Sequence, residues 1–187
     1  MKKLLVLIIL STLQSCLMPP TTQRFNPTLE SVEHEGEGVH GGMSYQDSII
    51  QIKWTYTATA FEFTLLNKTN KSLKVNWEES AYIDENGESN RVFHKGVKFA
   101  DRSQTQPTTV VIRGSVLSDL VAPVDKAVYI SGQYGGWVTK PLFEVNSWTT
   151  TGAKALEDKI RGKTVSILLP IVYDGKTREY IFNFLIK

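Results

Sequence analysis

At 187 residues and 21.0 kDa, with 41% hydrophobic and 21% charged side chains, the chain has the makings of one globular domain, which excludes a multidomain assembly or a long disordered tail. Its formal charge of +2 comes from Lys2 and Lys3, and without them 19 basic residues face 19 acidic ones. A balanced surface has no long-range field to gather phosphate backbones, so nucleic-acid binding through a basic face loses its support.

Met1, Lys2 and Lys3 form a short positive start, followed by the unbroken apolar run LLVLIIL over residues 4–10. That is the layout of a secretory signal peptide over residues 1–15, and the run is far shorter than the roughly 20 apolar residues that span a bilayer. It ends in Leu13-Gln14-Ser15-Cys16, with the only cysteine of the chain. This resembles a bacterial lipobox. The resemblance implies a lipidated Cys16, cleavage before it, and a chain held to the membrane by two or three acyl chains, where one alone gives only marginal residence. Leu17 stands where an Asp would retain an enteric lipoprotein at the inner membrane, so the implied destination is an outer membrane, facing periplasm or surface, in a host that has one. With the thiol acylated, no disulfide and no thiolate chemistry remain.

Residues 17–30, with Pro19, Pro20 and Pro27, read as an extended tether, and residues 31–43, rich in Gly, Glu and His, as loop. Residues 16–44 together form the lipidated, flexible lead-in, and residues 45–187 the domain. Within that domain residues 48–58 alternate, with Ile50, Ile52, Trp54 and Tyr56 on one face, and Phe61, Phe63 and Leu65 do the same. The polar run at 67–72 then predicts a hairpin back to Leu73, Val75 and Trp77. A strand over 81–83 ends at Asp84-Glu85-Asn86-Gly87, with 91–94 returning beside it. Extended pieces follow at 109–112, 116–121 and 127–131, then an aromatic segment, 132–148, of loops and short strands. Residues 154–160 make a short helix stopped by Gly162. The last two strands, 164–173 and 177–186, flank Asp174-Gly175, the strongest hairpin signal in the chain. Pro170 lacks an amide donor and predicts an edge strand or bulge.

Seven or more strands at this spacing point to an all-β fold, an antiparallel β-sandwich with one short helix. The stretches FEFTLLNKTNKSLKVNW and AYIDENGESNRVFHKGVKF, a later Val-rich strand, Gly114 and Asp119 resemble the immunoglobulin-like domains of uncharacterised bacterial lipoproteins, over residues 48–121. Those relatives imply an immunoglobulin-like sandwich and supply no catalytic residue.

Two Gly-Lys-Thr tripeptides, at 162–164 and 175–177, lack the earlier glycine of a phosphate loop and precede strands, which excludes nucleotide binding by that motif. Neither a Gly-x-Ser-x-Gly nor a His-Glu-x-x-His motif occurs, and Glu78 and Glu79 are neighbours that a strand would point to opposite faces. No enzyme and no cofactor is expected, although a hydrolase assembled from distant carboxylates stays open. His34, His40 and Met43 offer imidazole and thioether donors on one loop, the alternative reading being a periplasmic metal-binding protein. His94 reads as a structural histidine. Tyr134, Trp137, Phe143 and Trp148 concentrate aromatic area among loop formers and are the candidate surface for a partner, an envelope protein or polymer. The competing reading folds Trp137 and Phe143 back to cap one end of the sandwich.

Overall fold

The computed structural model describes residues 24–187, so Cys16 and the leader lie outside the described residues. Fourteen strands and one α-helix make up most of it. The first seven strands are β1 (Thr28–Glu33), β2 (Val39–Gly41), β3 (Ser44–Gln46), β4 (Ile50–Tyr56), β5 (Phe61–Asn67), β6 (Leu73–Val75) and β7 (Ala81–Ile83). There follow β8 (Ser89–Phe93), β9 (Thr109–Val111), β10 (Val116–Pro123), β11 (Ala127–Ile130), β12 (Gly136–Thr139), α1 (Thr150–Ile160), β13 (Thr164–Tyr173) and β14 (Lys176–Leu185).

All pairings are antiparallel, and one hydrogen-bonded path runs β1-β14-β13-β7-β8-β10-β5-β4-β3-β2, with β6 beside β13 and β9 beside β6. The sheet is nearly closed, its opposite walls meeting in an aromatic core. Trp54 of β4 lies 5.0 Å from Phe182 and 5.5 Å from Phe184 of β14, and Phe61 of β5 lies 4.6 Å from Phe184. These rings are fully buried, as the period-2 alternation of β4, β5 and β14 requires. A smaller cluster of Ala60, Phe93, Ala122 and Ala127 forms outside the main core, covered by Val97, Phe99, Leu120 and Val124.

The hairpin of β13 and β14 forms as read. Asp174 and Gly175 take φ of 53° and 74°, the left-handed pair that matches the twist of two adjoining strands, and ten residue pairs follow from Tyr173↔Lys176 to Thr164↔Leu185. The turn at 84–87 returns β7 to β8, with the Asp84 carboxylate accepting from the amides of Asn86 and Glu88. Helix α1 starts at Thr149, whose hydroxyl accepts from the Gly152 amide at 3.1 Å, and the chain leaves it through Gly162 at φ 82°.

Four expectations are corrected. The run at 67–72 is a crossover, not a hairpin: β6 pairs with β13 and β9, while β5 lies between β10 and β4, the latter joined to it by the turn at 57–60. Thr57 closes that turn by bonding to Ala60 through both its amide and its hydroxyl. Residues 28–46 are not loop and tether throughout. β1 adds to β14, with a bulge between Leu29 and Ser31 that breaks the alternation a reader would look for. β2 and β3 extend β4, three residues each and too short to display a period. Trp77 leaves the strand pattern for a 3₁₀ turn, Trp77–Glu79, which places Glu78 against Arg91 at 2.9 Å. Finally β13 is a central strand. Its Pro170 carbonyl accepts from the Asn76 amide, and because N and O of one strand residue point the same way, the missing amide falls in the gap between β6 and β7.

Candidate functional site

Strands β11 and β12 stand apart as a two-stranded ribbon, in register from Ala127↔Thr139 to Ile130↔Gly136. Alternation puts Tyr129 and Trp137 on one face and Val128, Ile130 and Val138 on the other, so both faces are apolar. The rings of Tyr129 and Trp137 meet edge to face at 5.5 Å. Arg102 lies 4.3 Å over the Trp137 ring and Phe99 packs beside it at 6.3 Å, holding the indole in place while it remains 37% exposed. Tyr129, Ile130 and Val138 are exposed as well. At the tip the Gly135 amide donates to the Gly132 carbonyl at 2.9 Å, and a Cβ on Gly135 would run into the Ile130 carbonyl, so glycine is what lets the turn close. That turn presents Tyr134, 95% exposed.

Of the four aromatic residues singled out in the sequence, three face solvent. Trp148 is fully exposed in the loop before α1. Phe143 is not part of the surface: it is 4% exposed and packs edge to face on Phe25 at 5.2 Å and against Tyr56 at 5.8 Å, closing the end of the core where the chain enters. The competing end-capping reading thus holds for Phe143 alone. Composition could not separate the two, because burial of Phe143 depends on Phe25, more than a hundred residues away.

The opposite end of the sheet carries a polar cluster that the sequence did not announce. Asp47, in the turn before β4, accepts at Oδ1 from the Ile49 and Ile50 amides, both at 2.7 Å. Its Oδ2 accepts from the Tyr180 hydroxyl at 2.7 Å and from the Tyr45 hydroxyl at 3.3 Å. His34 stacks on Tyr180 and hydrogen-bonds the Tyr45 hydroxyl through Nε2 at 2.5 Å, while the Lys68 ammonium donates to the Asp47 carbonyl. Gly38 passes so close over Tyr45 that a Cβ would overlap its hydroxyl. Around the cluster opens a cleft of ≈ 920 Å³ lined by His34, Glu37, His40, Gln46 and Lys68 among others. His34 and His40 both border it, but Met43 turns away and packs against the core. Among the described residues no group of three or more His, Cys, Asp or Glu side chains is placed to hold a metal ion.

Burial, reinforced by the Asp47 carboxylate, pushes the Tyr45 and Tyr180 hydroxyls far above the ordinary phenol range, and burial alone pushes Tyr56 up to about 12. The unfolded chain releases these protons near 10.0, so their contribution to stability is whole below that pH and is lost as pH rises through the folded values. The urea midpoint should therefore fall steeply between pH 10.0 and about 12, and less steeply in Tyr180→Phe. A variant that tracks the parent across this range would contradict the assignment.

His94 is packed and hydrogen-bonded just beyond the end of β8. Its ring stacks on Trp77 at 4.2 Å and 3°, its Nδ1 lies 3.3 Å from Asp119, and the Asp119 carboxylate also accepts from the Lys95 and Leu120 amides. These contacts bridge the place where β8 and β10 part company after their two pairs, Phe93↔Ala122 and Val92↔Pro123.

No family model matches this sequence, no curated protein is significantly similar to it, and no solved structure is significantly similar to the fold. The oxygens of Asp47 and Asp119 are engaged by amides, hydroxyls and an imidazole of the same chain. The rings of Tyr129 and Trp137 have one side engaged and the other open, and Tyr134 at the tip is open on both.

Proposed function

We propose that this chain is a lipid-anchored module of a bacterial cell envelope, held by Cys16, that binds a partner without catalysing a reaction, through the β11–β12 ribbon. Its body we read as an immunoglobulin-like sandwich, a reading supported by the facing walls of β4–β5 and β13–β14. The ribbon carries the functional reading. A two-stranded ribbon is marginal in water on its own, and this one exposes Tyr129, Ile130, Tyr134, Trp137 and Val138 together. Rigid aromatic side chains of this kind supply large contact area at little entropic cost, and Trp and Tyr dominate the energetics of protein interfaces. Among the described residues no other strand pairs with β11 or β12, so their edges offer backbone groups that an extended segment of a partner could meet.

The test places a photo-reactive benzophenone side chain at position 134 of the full chain in its native envelope. A cross-linked adduct of discrete mass is expected, and Trp137→Ser should weaken capture by about 30-fold, the loss of one hot-spot side chain of roughly 2 kcal/mol. No adduct, or one whose yield ignores Trp137→Ser, removes the ribbon from consideration. Intact-mass measurement of the same preparation reads the anchor separately, as acylation of Cys16.

A further inference from the structure

We propose that Trp148 is a second membrane contact, seated in the headgroup region of the bilayer that holds the anchor and fixing which end of the domain faces the lipid. The proposal rests on the lipid-anchored reading above and deepens it. Trp148 is exposed to its full extent, with its loop fastened on both sides. The Ser147 hydroxyl bonds the Thr149 carbonyl and accepts from the Thr149 amide, and Thr149 caps α1. Before it, Glu144 pairs with Lys126 and accepts from Asn146. The hydrogen bonds on either side fix the loop backbone that presents the indole to solvent.

The chain enters the domain at the same end. Arg24, the first described residue, forms an ion pair with Glu157 at 2.6 Å, and its carbonyl accepts from the Arg161 guanidinium at 2.7 Å; that guanidinium also lies 5.4 Å from the Phe25 ring. Both partners belong to the last turn and C-cap of α1, whose first turn follows Trp148. The 11 residues of the helix measure roughly 16 Å, so the indole sits about one helix length from the point of entry. Eight residue steps separate Cys16 from Arg24, and whatever their conformation they reach at most roughly 28 Å. A tether of that length on a diacylglycerol at Cys16 lets Trp148 reach the interface, where amphipathic rings such as indole collect.

Charge agrees on the helix. With Glu157 neutralised by Arg24, Lys154, Lys159 and Arg161 face only Asp158, and Lys163 and Lys187 stand at the same end. Lys163 bonds the Asn86 side chain in the β7–β8 turn, which also carries Asp84, Glu85 and Glu88, so the positive charge is concentrated on the helix itself. Anionic phosphatidylglycerol headgroups complement the net positive charge of the helix. Docked this way, the α1 end lies on the membrane and the cleft beside the β13–β14 hairpin points away from it.

The lipidated full chain, reconstituted into vesicles of phosphatidylethanolamine and phosphatidylglycerol, tests this by quenching of tryptophan emission with acyl chains brominated near the headgroup. Trp54 and Trp77 are buried in the domain, so only Trp137 and Trp148 can report lipid contact. We expect a loss of emission in the parent that vanishes in Trp148→Phe and persists in Trp137→Phe, with all three proteins floating with the vesicles. If the protein floats but Trp148→Phe is quenched as strongly as the parent, the indole does not touch lipid and the proposal falls while the anchor stands. If quenching disappears with Trp137→Phe instead, the ribbon is the lipid contact. If the chain does not float and Cys16 carries no acyl mass, the anchored reading and this proposal fail together.

Discussion

Replacing Asp47 by alanine should destabilise the domain by roughly 3–5 kcal/mol, because one carboxylate satisfies four donors and hydrogen bonds to a charged group are worth about 1.5–3 kcal/mol each before water compensates the outer ones. The Ile49 and Ile50 amides start β4, and the Tyr45 and Tyr180 hydroxyls come from β3 and β14, on opposite walls of the sheet. Asp47 therefore ties the far end of the sheet shut, as Phe143 does the end where the chain enters. Asp47→Asn keeps an oxygen for the two amides and loses less, roughly 1–2 kcal/mol, since a hydroxyl can rotate to accept from the new amide group. Urea unfolding of Asp47→Ala, Tyr180→Phe and the double variant reads the network directly. With the carboxylate gone, Tyr180→Phe should add almost nothing, and strict additivity of the two single losses would show that the hydroxyl and the carboxylate do not act together.

The cleft cluster was hidden in the sequence for a reason that bears on how such sites are read. Asp47 belongs to a local turn motif, yet Tyr180 lies 133 residues on, and only the pairing of β1 with β14 and of β3 with β4 brings the two together. The elements whose signals are local were legible: the alternation of β4 and β5, the Asp-Gly hairpin of β13 and β14, the short helix with its glycine stop. Where register or partner choice decides, the local pattern misled. Residues 67–72 carry hairpin chemistry, but Leu73 and Val75 bury themselves equally well against β13 and β9, and the crossover wins because it places both strands in one core. Pro170 predicts an edge strand or a bulge, but the gap between β6 and β7 accommodates it inside the sheet. For the ribbon the residue types were informative and their burial was not. Tyr134, Trp137 and Trp148 reach solvent and Phe143 does not, a distinction set by Phe25 and Tyr56.

Asn67 is the residue on which the crossover turns, and Asn67→Ala should cost about 2–3 kcal/mol, the price of leaving a buried carbonyl and two turn groups without partners. Its side chain is fully buried at the end of β5, donating to the Val111 carbonyl at 3.0 Å and the Lys71 carbonyl at 2.8 Å and accepting from the Thr69 amide and hydroxyl. Its backbone is held by the turn between β9 and β10, donating to Ser115 and accepting from Gly114. One amide side chain thus bends the chain out of one wall and pins it to β9 in the other. Asn67→Asp, nearly identical in shape, should do worse than alanine, because a carboxylate would face two carbonyl oxygens at a fully buried position. Asn70→Ala, three residues on and exposed in the same turn, should stay within about 0.5 kcal/mol of the parent. Denaturation midpoints of the three variants order the effect, and equal midpoints for Asn67→Ala and Asn70→Ala would mean that the turn forms from backbone bonds alone. Thr69→Ala in the Asn67→Ala background should cost a further amount of about 0.5 kcal/mol, since the hydroxyl still donates to the Lys71 carbonyl and accepts from the Lys71 amide once Asn67 is gone.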